Sequence, residues 1–211
     1  MTAMNRLADV SLAIIAAVGL ASAGSWTQDS DASYRALAEK AKAGDRSIDF
    51  RALRLACSNA SKCDARGDSK DLLAMHRAAK ARDYKLSLKL AEKLIAAGFP
   101  NIEAHAACAE AYAALNDPEK AKFHHAITAG LIQSILSTGD GKTKETAFEV
   151  IGTYEERIVM TVLGLPPFGR QGLIPGKPHS YDVLEVDDPK TGNKVSVYFN
   201  IDAFYPMKGL E

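Results

Sequence analysis

Hydrophobic and polar positions divide the chain into three parts. An apolar run covers residues 10–20, with Arg6 as the only cation before it and small residues up to Ala23 after it. Residues 31–137 carry apolar positions at helical spacing, in a background rich in Ala, Leu, Lys and Glu. β-Branched runs bounded by turn residues follow from residue 141 onwards. The pattern predicts a signal peptide at 1–23, a helical region at 24–140 and a β-sheet region at 141–211.

The first part has the order of a signal peptide: a basic residue, a short apolar run and a small-x-small cleavage site. The run has about half of the roughly 20 apolar residues that a membrane-spanning helix needs. We therefore expect cleavage near Ala23, a periplasmic or secreted mature protein, and no stable membrane insertion after cleavage. A retained membrane anchor and an apolar first helix of a cytosolic domain are the two alternatives.

Capping and turn residues divide the helical region into six predicted helices. Asp117 followed by Pro118 marks one start, because Asp is a favoured N-cap and Pro suits the first helical position. In the fourth helix, Leu86, Leu90 and Leu94 form a predicted apolar stripe. The corresponding stripe of the sixth helix comprises Phe123, Ile127, Leu131 and Ile135. The predicted helices lie near residues 34–42, 47–57, 69–79, 84–97, 101–115 and 118–137.

Two of these helices begin at a regular interval. Asp83 and Asp117 stand at their starts and are 34 residues apart, which is the tetratricopeptide period. The segment Ala109–Ala121 resembles the junction of that repeat, with Tyr112 as its aromatic residue, whereas His105 stands where the repeat commonly has Trp. At most two repeats are visible, and stacked repeats usually need about three to be stable. Other structure must therefore cover the open faces of the array.

The C-terminal region has the pattern of a small sheet. Val195, Val197 and Phe199 alternate with polar residues, which is typical of a strand with one buried face. The predicted strands are 147–151, 157–163, 181–186 and 194–199, with a Pro/Gly-rich loop at 164–178 and a hairpin turn at 187–193. A three- or four-stranded antiparallel sheet has one apolar face to bury, and the helices have uncovered flanks. The predicted fold class is therefore α+β, an N-terminal tetratricopeptide-like helical array packed with a small C-terminal antiparallel β-sheet.

The cysteine spacing predicts one disulfide bond. Export permits disulfides, and Cys57 and Cys63 are close in sequence. On a continuous helix they would point about 120° apart. The residues between them, Ser58–Lys62, are cap and turn formers that can end a helix. We predict a Cys57–Cys63 bridge across such a break, and we predict that Cys108 is a small buried hydrophobe.

Charge and motifs argue against several classes of function. Lys plus Arg and Asp plus Glu both number 26, which gives a formal net charge of zero. Nucleic-acid binding usually requires a basic excess. Neither a phosphate-binding glycine loop nor a Gly-x-Ser-x-Gly motif occurs. His124 and His125 are neighbours on a predicted helix, whereas paired histidine ligands usually stand four residues apart. We predict no catalytic residue, no metal site and no cofactor.

The segment His179-Ser180-Tyr181-Asp182 lies where the Pro/Gly-rich loop meets a strand. An enzyme would use His179 as a general base and Asp182 to orient it. Adjacent strand residues point to opposite faces, however, and no activated nucleophile is evident. We favour the interpretation that both side chains fix the loop through hydrogen bonds, with ligand or partner contact as the second interpretation and catalysis as the third.

Three blocks of the sequence resemble the bacterial domain-of-unknown-function family 4919. They cover residues 49–56, 179–186 and 188–202, and the last block, with its Asp188–Gly192 turn and Val197–Asp202 strand, is the most specific. The resemblance extends over roughly Tyr34 to Asp202. It implies an exported protein with a helical-repeat body joined to a C-terminal strand pair, and it implies no activity.

Together these observations predict an exported, non-enzymatic module that binds a protein or peptide of the cell envelope, without nucleic acid. The predicted groove is lined by Leu72–Ala79 and Asn101–Leu115. A small-ligand-binding protein or a hydrolase that uses the His179 loop is the alternative. The candidate binding residues are His179, Tyr181, Asp182, His105 and Tyr112.

Overall fold

A computed structural model describes residues 24–205 of the chain. The predicted signal peptide and its cleavage site lie outside the described residues, as does the end of the predicted sheet region. The helices are α1 (Gly24–Lys42), α2 (Phe50–Asn59), α3 (Ser69–Lys80), α4 (Tyr84–Ala97), α5 (Ile102–Ala114), α6 (Pro118–Leu136) and α7 (Thr153–Val162). The strands are β1 (Phe148–Glu149), β2 (Arg170–Ile174), β3 (Tyr181–Asp187) and β4 (Lys194–Asn200). No helix between residues 24 and 205 is both long and apolar enough to cross a membrane.

Short polar side chains determine where helices α2 to α6 begin. Asp49, Asp68, Asp83, Asn101 and Asp117 occupy the N-caps, and each accepts a hydrogen bond from a backbone N–H of the first turn. A cap of this kind contributes about 1 kcal/mol. All six predicted helices are present, although α1 begins ten residues before its predicted start and α2 three residues after, and α4 and α6 begin after aspartates 34 residues apart. Their relation to the tetratricopeptide repeat stays a prediction.

The predicted apolar stripes of α4 and α6 differ in how far the structure buries them. In α6, Ile127, Leu131 and Ile135 are buried as predicted. In α4 the prediction is wrong in part, because Leu86 is 44% exposed and only Leu94 of that stripe is fully buried. Positions four residues apart drift by about 40° around a helix at each step. The stripe therefore leaves the contact face, and the buried side of α4 is formed by Ser87, Ala91 and Leu94.

Helices and sheet share one hydrophobic core. Leu53 of α2, Leu131 of α6, Val159 of α7 and Phe199 of β4 belong to the same cluster of buried side chains. A second cluster joins α3, α4 and α5 and contains the predicted buried thiol, Cys108. The sheet thus covers one flank of the helical array, as the α+β prediction requires.

The sheet is mixed, so the prediction of an antiparallel sheet is wrong in one pairing. The strand order is β1-β4-β3-β2, and β3 pairs antiparallel with both β2 and β4. β1 pairs parallel with β4, with Phe148 opposite Phe199. Parallel neighbours need a long crossover, and the chain between β1 and β4 supplies one through α7, β2 and β3. Local sequence does not reveal such a connection.

Two segments of the sheet region differ from the prediction. The run Arg157–Leu163, predicted as a strand, belongs mostly to α7. Its β-branched residues favour a strand, but Glu155, Glu156, Val159 and Met160 are all buried, and this spacing is that of one helix face. Tertiary packing therefore overrides the local propensity. The predicted loop at 164–178 contains β2, whose five residues show no clear alternation.

A buried ion pair joins the helical array to the sheet region. Arg54 of α2 and Glu155 of α7 are connected by two hydrogen bonds, from Nε to Oε1 at 2.8 Å and from Nη2 to Oε2 at 2.7 Å. Both side chains are 0% exposed. Arg54 also donates to Ser134 of α6 and to the backbone carbonyl of Glu149 in β1. The backbone N–H of Ile151 donates to Glu155. The hydrogen bonds of the pair therefore connect α2, α7, α6 and β1.

The predicted disulfide is confirmed: Cys57 and Cys63 are bonded, with their Cα atoms 5.3 Å apart. α2 ends at Asn59, so the bridge connects the last turn of a helix to the loop that follows it. Ser61 in this loop donates through its backbone N–H and its hydroxyl to the Asp31 carboxylate of α1, both at 2.7 Å. The disulfide therefore fixes a loop that also holds α1.

Candidate functional site

An open groove of about 690 Å³ lies between α5 and α6. Small side chains form much of its wall, because five alanines line it. The α1–α2 loop contributes Arg46. The alanines are Ala106, Ala109 and Ala113 of α5 and Ala121 and Ala126 of α6. Their positions on α5 follow helical spacing, so the face of that helix that lines the groove carries small side chains apart from Glu110. The groove therefore has room for side chains of another molecule.

Charged and polar side chains stand around this groove, which we call the α5–α6 groove. Arg46 and His125 are exposed and have no hydrogen bond or ion pair to any residue in the described range. Lys122 pairs with Glu119 at 2.9 Å, but both side chains are mostly exposed, and such pairs are weak. Glu110 is exposed on α5. Arg46 is therefore a guanidinium available to a ligand.

The groove differs from the one predicted from the sequence. Asn101–Leu115 contributes to it, as predicted, but Leu72–Ala79 does not. Met75 and Ala78 of that segment are buried, and Met75 packs in the second core cluster with Ala91 and Leu94. These two side chains are therefore not available to a partner, whereas Leu73 of α3 is 50% exposed but does not line the groove.

A second cavity, of about 800 Å³, lies where β2 begins. Its charged residues already neutralise one another: Arg170 pairs with Glu185 of the neighbouring strand, and Lys194 pairs with Asp187 at 3.6 Å. The α5–α6 groove offers an unpaired charge and a more apolar lining, which ligand sites usually have. We therefore consider it the better candidate site.

His105, a predicted binding residue, is fully buried. Its Nε2 lies 2.8 Å from the carbonyl oxygen of Phe99, which can only accept, so Nε2 carries the proton. Its Nδ1 then accepts from Nδ1 of His124, at 2.9 Å. Burial, together with the neighbouring His124, lowers the pKa of His105 to about 3. A neutral, fully bonded imidazole of this kind holds α5 against α6 and has no atom free for a partner.

Tyr112, the second predicted residue of the helical region, lies outside the α5–α6 groove. Its ring stacks on His124, with the centroids 5.6 Å apart, and its hydroxyl donates to Glu92 of α4 at 2.8 Å. Burial and the Glu92 carboxylate raise the pKa of Tyr112 to about 12, so it stays protonated. Glu92, Tyr112, His124 and His105 thus form a polar chain that connects α4, α5 and α6.

The three predicted residues at the start of β3 do not converge. His179 is exposed, and its Nδ1 contacts the Oδ2 atom of Asp202 at 2.5 Å. Asp182 is 4% exposed and lies on the core side of the sheet, where Gln171 donates to it. Tyr181 lies on the other face, as alternation along a strand requires, and its ring is 6.3 Å from that of His179.

A hydrolase that used His179 would need an acid and a nucleophile beside it. Asp202 orients the imidazole, and its other oxygen accepts from the backbone N–H of Ser180. The Ser180 hydroxyl itself is fully buried and has no partner in the described part of the chain. Glu155 is held by Arg54 instead. The sequence could not indicate the His179–Asp202 contact, because 23 residues and a complete hairpin separate the two side chains.

No group of three or more His, Cys, Asp and Glu side chains within residues 24–205 could hold a metal ion. The one thiol outside the disulfide, Cys108, is buried, and burial together with Glu92 raises its pKa to about 12. A thiol in this state is a poor nucleophile and a poor ligand. Its position agrees with the predicted packing role.

Comparison with known proteins gives a family and no closer relative. Residues 28–208, which is most of the chain, match the family model described as a domain of unknown function, DUF4919. No curated protein and no solved structure was found to match. The match includes the helices, the disulfide loop, the α5–α6 groove and the strands described above. The chain therefore belongs to the DUF4919 family.

Proposed function

We propose that this protein is an exported, non-enzymatic binding module whose α5–α6 groove takes a peptide segment of another cell-envelope protein. The observation that carries the proposal is the groove itself: about 690 Å³ lined by five alanines, beside an unpaired arginine. Peptide-binding grooves take apolar anchor side chains and add a few polar contacts for orientation. The α5–α6 groove offers both.

The chemistry of the groove specifies the segment that fits it. Alanine side chains leave the space that a leucine- or phenylalanine-sized anchor of the partner would fill, and buried anchors of this size dominate binding energies. Arg46 presents a planar fork of donors that matches a carboxylate in a bidentate arrangement. We therefore expect a segment with large apolar residues and an Asp or Glu placed to meet Arg46.

Two features support export as part of the proposal. The first residues have the order of a signal peptide. The Cys57–Cys63 bond connects α2 to a loop that holds α1, and bonds of this kind persist in oxidising compartments outside the cytosol. The mature protein would then meet its partner in the periplasm or outside the cell.

Site-specific photo-crosslinking tests the proposal. A benzophenone amino acid replaces His125 at the groove, and in a control variant it replaces Gln133, an exposed residue on the same helix. Crosslinking in intact envelopes, followed by mass spectrometry, identifies the attached peptide. We expect one protein to crosslink from position 125 and not from 133, through a segment with apolar and acidic residues. Equal products from both positions would contradict the proposal.

A further inference from the structure

The helical hairpin α3–α4 is basic, although the formal net charge of the whole chain is zero. Residues 69–97 contain seven Lys and Arg side chains and three Asp and Glu side chains, which is an excess of four positive charges. α3 ends at Lys80 and α4 begins at Tyr84, so a short turn joins them and they run antiparallel. The neutral total of the chain therefore hides a basic surface on these two helices.

The acidic side chains of the hairpin are engaged within the protein, whereas most of its cations are not. Asp71 pairs with Lys93 at 2.7 Å. Asp83 caps the first turn of α4, and Glu92 accepts a hydrogen bond from Tyr112. Six exposed cations form no ion pair or side-chain hydrogen bond to any residue between 24 and 205: Lys70, Arg77, Lys80, Arg82, Lys85 and Lys89. Their charges are therefore available to an external anion.

Two exposed leucines stand among these cations. Leu73 is 50% exposed and Leu86 is 44% exposed. On α3, Leu73 shares one face with Lys70 and Arg77, because steps of three and four residues return to the same side of a helix. On α4, Leu86 shares a face with Lys89 in the same way. Each of these faces combines an apolar side chain with cations, which is the pattern of helices that lie at a membrane surface.

An ion pair between the helices relates the two faces to each other. Lys93 stands on the same face of α4 as Leu86 and Lys89, at steps of three and four residues. Its ammonium group contacts the carboxylate of Asp71 on α3. This face of α4 therefore follows the side on which the two helices meet. We call the basic, leucine-bearing surface of the hairpin the α3–α4 face.

We propose that the α3–α4 face binds reversibly to the surface of an anionic phospholipid bilayer. The unpaired cations contact lipid phosphates, and Leu73 and Leu86 enter the layer below the headgroups. Each Lys or Arg near such a surface strengthens binding about fivefold, and buried apolar area adds to this attraction. The contact needs no membrane-spanning helix. It does not involve the α5–α6 groove, whose lining residues lie outside residues 69–97.

The exposed leucines distinguish a lipid surface from a soluble polyanion. Nucleic acid or an acidic peptide would neutralise the cations through its charges alone, and Leu73 and Leu86 would contribute nothing to that attraction. A bilayer offers phosphates at its surface and hydrocarbon directly below them, so it meets both parts of the α3–α4 face.

Vesicle flotation measures this binding. The protein is purified from the envelope of the producing cells and mixed with vesicles of phosphatidylglycerol and phosphatidylcholine in equal parts, or of phosphatidylcholine alone. All variants come from the same fraction and share the same N-terminus, so differences between them come from the substituted side chains. We expect binding to the mixed vesicles at about 0.05 M salt. Binding should be at least tenfold weaker at about 0.5 M salt, because salt screens exposed charges, and on phosphatidylcholine alone.

A first pair of variants tests the cations. Arg77→Gln/Lys89→Gln removes two unpaired charges of the α3–α4 face and should lower the partition coefficient on mixed vesicles at least tenfold. Lys40→Gln/Lys177→Gln is the matched control, because it removes two exposed cations elsewhere on the protein. It should change the partition coefficient by at most about twofold.

A second pair of variants tests the leucines. Leu73→Gln/Leu86→Gln should lower the partition coefficient at least fivefold, because the apolar area that enters the bilayer is lost. The matched control is Leu163→Gln/Leu173→Gln, which replaces two leucines of the sheet region that are 40% and 48% exposed. It should leave the partition coefficient unchanged within about twofold.

Equal partition coefficients of either test variant and its control would overturn the proposal. So would a loss confined to Leu163→Gln/Leu173→Gln, because the bilayer would then meet the sheet region. Absence of wild-type binding to the mixed vesicles would also overturn it, and capture of the protein by soluble polyglutamate in that case would assign the α3–α4 face to an acidic protein.

Discussion

The guanidinium of Arg54 donates two hydrogen bonds, of 2.8 and 2.7 Å, to the carboxylate of Glu155. Both side chains are fully buried. The residues are 101 positions apart in sequence. They bring α2, near the start of the described chain, against α7 in the sheet region. The junction extends to α6 and β1, because Arg54 also donates to Ser134 and to the backbone carbonyl of Glu149.

Replacing Arg54 by Met should destabilise the protein by about 3–5 kcal/mol, because the Glu155 charge would remain buried without a partner. Urea denaturation followed by circular dichroism measures the change in the free energy of unfolding. The Arg54→Met/Glu155→Leu double variant removes both charges and should recover part of the loss. A loss below about 1 kcal/mol for Arg54→Met would show that the pair is not the junction described here.

Replacing both Cys57 and Cys63 by Ser should lower the free energy of unfolding by about 2 kcal/mol, the value expected for so short a loop. Reductant should lower the melting temperature of the wild type to that of the double variant and leave the double variant unaffected. Protection of α1 amides should also fall, because Ser61 then no longer holds Asp31 in place. Equal melting temperatures for oxidised and reduced wild type would contradict this account.

His105 should make the protein less stable in acid. The unfolded chain protonates this side chain near its ordinary pKa of 6.5, whereas the folded protein resists protonation until about pH 3. The unfolded state therefore binds more protons in this window, and stability falls as the pH decreases from 6.5 towards 3, by at most about 1.4 kcal/mol per pH unit.

The His105→Gln variant isolates this contribution. Its difference in unfolding free energy from the wild type should shrink as the pH falls from 6.5 to 3.5, because the wild type alone loses the stabilisation of a neutral imidazole. His76 is a control of opposite sign, because its hydrogen bond to Glu103 raises its pKa, so its stabilisation is present at low pH and is lost as the pH rises. A constant difference between wild type and His105→Gln would contradict the described role of His105.

The sequence predicts the features of this protein that depend on neighbouring residues. Asp83 and Asp117 cap helices through hydrogen bonds within one turn, and the Cys57–Cys63 bond spans six residues. The β3–β4 hairpin also follows from local alternation and a turn. In all of these, the interacting groups are close along the chain, so their residue types and spacing carry the information.

Features that depend on residues distant in sequence are not predictable from local spacing. The run from Arg157 onwards is β-branched and forms a helix, because its buried face packs against the shared core. Asp182 accepts a hydrogen bond from Gln171, and His179 contacts Asp202 instead of Asp182. The ion pair of Arg54 and the contact of His179 with Asp202 cross the fold and leave no spacing signal in the sequence.

The central claim, that the α5–α6 groove binds a peptide segment, is tested most directly by measuring how a groove substitution changes the affinity for the segment identified by crosslinking. Ala113→Glu places a charge in the groove, and Ala96→Glu places the same charge at the corresponding second-last residue of α4, outside it. The account predicts that Ala113→Glu raises the dissociation constant, measured by fluorescence anisotropy with the synthetic segment, at least tenfold. Ala96→Glu should leave it unchanged. Equal affinities of both variants and the wild type would contradict the account.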